Sequence, residues 1–242
     1  MARRPQVDFL FDVDNTLLDN DAAQADYRAY LERESGADAA ARYWAIFLEL
    51  RQELGYADYL GALQRYRLER LHDPRVLLMS SFLLDYPFAD RLYPGALDVI
   101  AHCGRVGRSV VVTDGDVVFQ PRKVERAGIR RAVQDRVLIC LHKERELADV
   151  ERLYPADHYV FIDDKLRILT AVKEQWGSRV TTIFARQGHY AHDPRVLAAY
   201  PAADLSVSCI GDLLDLDPQT LIAGAGTPGA PGGRHETNAT TS

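Results

Sequence analysis

Short apolar runs rich in β-branched residues recur along the chain at residues 7–13, 108–113, 136–141, 158–163, 180–185 and 205–210. Several are followed by stretches compatible with helix, and runs of this length predict strands buried on both faces. The alternation implies an α/β fold, a doubly wound, mainly parallel sheet covered by helices. Ligands in such sheets bind beyond the carboxyl ends of the strands. Polar residues that terminate a run are therefore the site candidates.

The first and second runs are separated by residues 19–92, where apolar and aromatic positions recur at helical spacing without a strand signal. Tyr27, Tyr30, Leu31, Tyr43, Ile46, Phe47 and Leu50 illustrate the pattern. This predicts a small all-helical domain inserted after the first strand, with the aromatics as its own core and a substrate-facing place for one or two of them as the alternative. The chain resumes at the turn signal Tyr93-Pro94-Gly95. Residues 1–18 and 93–222 are then the core domain. Residues 223–242, rich in Gly, Ala and Pro, cannot bury enough apolar area against their ordering entropy and are predicted to be a disordered tail. The Asn238-Ala239-Thr240 sequon there reads as a chance match.

Composition narrows the function. The 242 residues are 47% hydrophobic and 26% charged, with a net charge of -6 and no long Lys/Arg run, so the electrostatic footprint of a nucleic-acid binder is missing. Cys103, Cys140 and Cys209 are widely spaced within apolar stretches and read as buried reduced thiols of a cytoplasmic protein. The most apolar stretch, residues 76–84, is interrupted by Ser80 and Ser81, and neither a signal peptide nor a membrane span is indicated. Oligomeric state is left open. His189 and His192 lack a further ligand at zinc spacing and read as a loop at a strand end, with His189 or Arg186 bordering the site as the alternative.

The strongest chemical signal is Phe9-Leu10-Phe11-Asp12-Val13-Asp14-Asn15-Thr16-Leu17, a buried strand ending in two carboxylates two residues apart. Two anions held that close call for a cation. Magnesium suits carboxylate oxygens and commonly bridges to a substrate phosphate.

Asp12-Val13-Asp14-Asn15-Thr16 resembles the first motif, Asp-x-Asp-x-Thr, of the haloacid dehalogenase superfamily. Its other motifs have counterparts in order. Val110-Val111-Val112-Thr113-Asp114 resembles the second, Lys143 fits the third, and Val160-Phe161-Ile162-Asp163-Asp164 resembles the fourth. The resemblance spans residues 7–216. It implies a phosphohydrolase acting on a small phosphorylated molecule, with Asp12 as nucleophile, Asp14 as general acid and base, and Thr113, Asp114 and Lys143 at the phosphate. It further implies Mg2+ held by Asp12, Asp14 (through its main-chain carbonyl), Asp163 and Asp164, with Asp164 favoured at the main position, and a helical cap closing over the cleft. The sequence departs from the pattern where Asp114 adds a negative side chain, where Glu144 follows Lys143 in place of proline, and where Ile168 or Arg167 stands at the usual further acid. Lys123, a competing lysine, reads as a surface or helix residue.

A dehalogenase of the same superfamily generally lacks the second carboxylate, so Asp14 speaks for phosphoryl transfer. A phosphomutase would keep it. From another class, a phospho-accepting receiver module or a phosphometabolite-binding protein would gather similar groups without turnover.

Overall fold

The structure is a computed structural model that describes residues 6–222. The tail expected at 223–242 and the first five residues lie outside the described residues. Val7–Phe11 (β1) is buried at every position, and it pairs in parallel with Arg108–Asp114 (β2) on one side and His158–Asp163 (β4) on the other. Val137–Cys140 (β3), Val180–Ala185 (β5) and Leu205–Val207 (β6) complete a six-stranded parallel sheet of order β3-β2-β1-β4-β5-β6. The strand order reverses between β1 and β4, and a crevice opens at such a switch point beyond the strand ends.

Strand alternation sends side chains to opposite faces. Phe9, Phe11, Val111 and Ile162 join one apolar cluster, while Leu10, Val110, Val112 and Phe161 join another.

Between β1 and β2 come four helices, Asn20–Ser35 (α1), Ala37–Leu54 (α2), Tyr59–Glu69 (α3) and Arg75–Asp85 (α4), then a short 3-10 turn at Phe88–Arg91. Asp19 starts α1 by accepting from Ala22 N (2.8 Å), and Asp58 starts α3 by accepting from Gly61 N (2.6 Å). The aromatics fill the insertion's interior, as the spacing predicts. Tyr27 meets Tyr43 edge-to-face at 5.3 Å, and Tyr43 meets Trp44 at 5.4 Å.

The insertion leaves and rejoins the core side by side. Asp19 N donates to Arg91 O (2.7 Å) and Tyr93 N to Leu17 O (3.0 Å).

The remaining helices are Ala96–Cys103 (α5), Phe119–Arg126 (α6), Ile129–Ala132 (α7), Leu147–Leu153 (α8), Leu166–Trp176 (α9) and Pro194–Ala199 (α10). All three cysteines are free. Cys103 and Cys140 are buried, whereas Cys209 is only partly so because its thiol helps cap the Ile210–Asp215 turn, reaching Asp212 Oδ1 at 3.0 Å. No helix among the described residues is long and apolar enough to cross a membrane.

Candidate active site

The chain leaves β1 at Asp12, whose amide still bonds to Ile162 O of β4 (3.0 Å). Asp12 is thus held by sheet backbone at the switch point, and it is buried. The next residues turn sharply. Asn15 adopts a left-handed φ of 61°, which an Asn tolerates because its short amide bonds locally. Its Oδ1 accepts from Asn20 N (3.0 Å) and Asp21 N (3.2 Å), tying the turn to the start of α1. Thr16 Oγ1 reaches back to Asp12 Oδ2 at 3.3 Å.

Asp163, the last residue of β4, and Asp164, just beyond it, face Asp12. One carboxylate oxygen from each of the three lies within 4.8 Å of the others, and all three residues are buried. Lys143, in the turn after β3, is buried against them: its Nζ pairs with Asp12 and lies 2.6 Å from Asp163 Oδ2. Asp163 Oδ1 accepts from Lys165 N (2.8 Å). Asp164 is served less well. Neither of its buried oxygens has a hydrogen-bond partner among the described residues, and the nearest cation, Lys165 Nζ, stands 3.8 Å from Oδ1.

These environments set the charges. Burial pushes Asp12 up, but the Lys143 and Lys165 ammonium groups outweigh it and hold the carboxyl below the usual range. Burial dominates at Asp164 and drives its carboxyl well above that range. Were all three carboxyls ionised, two ammonium groups would not neutralise them. The orphaned Asp164 oxygens, together with one from Asp12 and one from Asp163, form an all-oxygen donor set of the kind a hard divalent cation takes.

The other sequence candidates are placed as follows. Thr113 and Asp114 close β2. The Thr113 hydroxyl accepts from Gln120 Nε2 (3.0 Å). Asp114 lines the cleft, and its Oδ1 accepts from Lys143 N (2.8 Å), so the extra acid fixes the lysine's backbone. Burial pushes its carboxyl up to about 6. Asp14 stands apart from the carboxylate group and opens onto the cleft.

Lys123 lies in a helix, α6, as expected, but its burial and its partner Asp14 correct the surface reading. Lys123 is fully buried, and its Nζ donates to Asp14 Oδ1 (2.7 Å), Asp14 Oδ2 (3.0 Å) and Asn20 Oδ1 (3.0 Å). Helix α6 buries Phe119, Gln120, Lys123 and Val124 on one face, so the signal was a lysine at helical spacing from Phe119 and next to Val124.

A cleft of about 400 Å³ opens above these groups, between the core and the insertion. Phe47, Arg51, Tyr56 and Tyr59 line it from the insertion, and Lys165, Arg167, His189 and Tyr190 from the core. The loop after β5 thus reaches the site. His189 N and Nδ1 each lie 2.8 Å from an Asp21 carboxylate oxygen, and Tyr190 OH bonds Arg51. Gly188 permits this approach: a Cβ there would stand 2.5 Å from Asn15 Cβ, and its φ is +69°.

Comparison with known proteins agrees with this arrangement. No family model matches the chain, and no curated protein matches it. Among solved structures, the chain is similar to a haloacid dehalogenase-like hydrolase from Burkholderia xenovorans, at 60% identity and a TM-score of 0.85 over 88% of this chain and 99% of that one. An L-2-haloacid dehalogenase from Xanthobacter autotrophicus shares the fold at 18% identity (TM-score 0.60, 90% and 99% covered). A magnesium-bound HAD-hydrolase from Bacillus subtilis shares it at 16% (TM-score 0.57, 89% and 99% covered). With strand order, motif positions and a 60%-identical relative in agreement, the chain belongs to the haloacid dehalogenase-like hydrolases.

Proposed function

We propose that this hydrolase cleaves a small phosphate monoester through a phosphoryl group carried on Asp12. The observation that carries the reading is the buried carboxylate trio Asp12, Asp163 and Asp164 with its cation deficit, beside a second acid, Asp14, that faces the cleft. Asp12 and Asp164 would hold Mg2+, with Asp163 beside them. The Asp14 carbonyl, which accepts no main-chain hydrogen bond among the described residues, would complete the set. Bound there, the cation lowers the repulsion between the phosphate dianion and the attacking carboxylate.

The chain's own groups supply the rest. The Lys143 ammonium, anchored by Asp12 and Asp163, adds positive charge where the transferring oxygens lie. Thr113 Oγ1 and the Asp114 main chain line the phosphate from the end of β2. Asp12 attacks phosphorus, which divides one difficult displacement into two easier ones. Asp14 gives a proton to the leaving oxygen and later takes one from the hydrolytic water. Lys123 holds the Asp14 side chain in position for both tasks.

The test is phosphate release from a panel of small phosphate monoesters by the purified protein with magnesium, with chelator, and as Asp12→Asn. Release that requires magnesium and vanishes in the variant is expected. Halide release from 2-chloropropionate without added metal, and no phosphate from any ester, would overturn the reading in favour of a dehalogenase.

A further inference from the structure

Arg51 is the one cationic side chain of the cleft, among the described residues, with no acidic counterpart. It lies in the last turn of α2, half-buried, and projects to the cleft. Its guanidinium bonds the Tyr190 hydroxyl and sits 6.0 Å from the centroid of that ring. No carboxylate comes within ion-pair distance of it. The other cations are engaged: Arg167 bonds Glu144 Oε1 at 2.6 Å, His189 bonds Asp21, and Lys165 is drawn to Asp164.

A guanidinium presents five donors in a planar fork, of which the bond to Tyr190 uses one. Removed from water in part and left without a counter-charge, such a group is a receptor for a planar anion. Around it, Phe47, Tyr56 and Tyr59 give the cleft apolar walls, which suit the carbon body of a small ligand.

We propose that Arg51 binds a carboxylate carried by the substrate at the end remote from the phosphate, so that the substrate class is a small phosphorylated carboxylic acid. The inference rests on the phosphatase reading above. One unpaired guanidinium matches one negative charge, whereas a second phosphate dianion would leave charge unmet. Tyr190 sets the plane of the fork from the core side, so the anchor is complete only with the insertion seated over the cleft. Lys165 Nζ lies 5.6 Å from the centroid of the same Tyr190 ring.

The experiment separates this inference from the phosphatase reading by measuring binding rather than turnover. Titration calorimetry, with magnesium present, compares 3-phosphonopropionate with propylphosphonate, two non-hydrolysable probes that differ in the carboxylate. The acid is expected to bind roughly 10- to 100-fold more tightly, the worth of a charge-assisted hydrogen-bond pair. In Arg51→Gln the ratio should collapse towards one, and Arg51→Lys, which keeps charge without the fork, should give an intermediate ratio. Equal affinities in the wild type, no binding of either probe, a ratio that survives Arg51→Gln, or loss of both affinities together would each overturn the inference. Phosphate release from p-nitrophenyl phosphate, followed in parallel, reports on the phosphatase reading alone.

Discussion

Lysine is almost never fully buried without a partner, and here Lys123 and Lys143 are buried against the two carboxylates of one motif. Lys143 pairs with Asp12, the nucleophile of the proposed reaction, whereas in that proposal Lys123 acts through Asp14 as a positioning residue. Misplacing a reacting group by about 1 Å can cost ~10²-fold. Lys123→Met is therefore expected to lower kcat on p-nitrophenyl phosphate by roughly 10- to 100-fold with KM within about 2-fold. Because the Asp14 side chain is 22% exposed it can rehydrate, and the stability cost in urea should stay within about 1 to 3 kcal/mol. An unchanged kcat would sink the positioning role. At this scale the sequence was legible in position wherever a residue ends a strand: Asp12, Thr113 and Asp163 stand at the strand ends that the apolar runs predict. It was opaque for Lys123 and Arg51, whose roles depend on how two segments far apart in sequence are brought face to face.

Secondary structure elements were more legible, since burial on both faces leaves a continuous apolar run that few other structures share. All six strands fall where the runs predict. The differences are at the ends. The last run, read to residue 210, stops at Val207 because Asp212 Oδ2 accepts from Ser208 N (2.9 Å) and Cys209 N (3.0 Å), drawing the backbone into the following turn. The apolar α4 buries only Met79 and Leu83 and leaves Leu77 72% exposed, a distinction that composition does not carry. Between elements, Asp204 ties β5 to α9: it accepts from Thr182 N (2.8 Å), Thr182 Oγ1 (3.0 Å) and Lys173 Nζ (2.7 Å). Burial raises its carboxyl, but the Lys173 and Thr182 bonds outweigh that and hold it below its ordinary value of 3.8. A depressed folded-state value means the stabilisation is present above the unfolded value and is lost as pH falls through the folded one. Asp204→Asn should cost about 1 to 2 kcal/mol at pH 7, and urea melts should show the gap to wild type narrowing as pH drops below about 4. A gap that stays constant down to pH 2 would show that charge is not its source.

The helical insertion leaves and rejoins the sheet through two adjacent backbone segments, and the cleft beside it is spanned by a few polar contacts. Asp21 of α1 holds His189 of the loop after β5, Arg51 of α2 holds Tyr190, and Gly55 at the end of α2 packs so near His142 that a Cβ would stand 2.8 Å from its ring. The Asp21 and His189 side chains are 34% and 53% exposed, and exposed pairs of this kind contribute about 0.2 to 1 kcal/mol. Against the stability of the whole fold that is small. Against the seating of the insertion over the cleft it is not, because apparent affinity scales with the fraction of molecules in the seated arrangement, and 1.4 kcal/mol is a factor of ten. Asp21→Ala should thus raise KM by up to about 5-fold while the melting temperature drops by no more than about 4 °C. Steady-state kinetics and a thermal melt on the same preparation decide the matter. A large drop in melting temperature with KM unchanged would make Asp21 a structural residue of the Asn15 turn, to whose Nδ2 it is also bonded at 3.0 Å, and not a fastening between the insertion and the loop after β5.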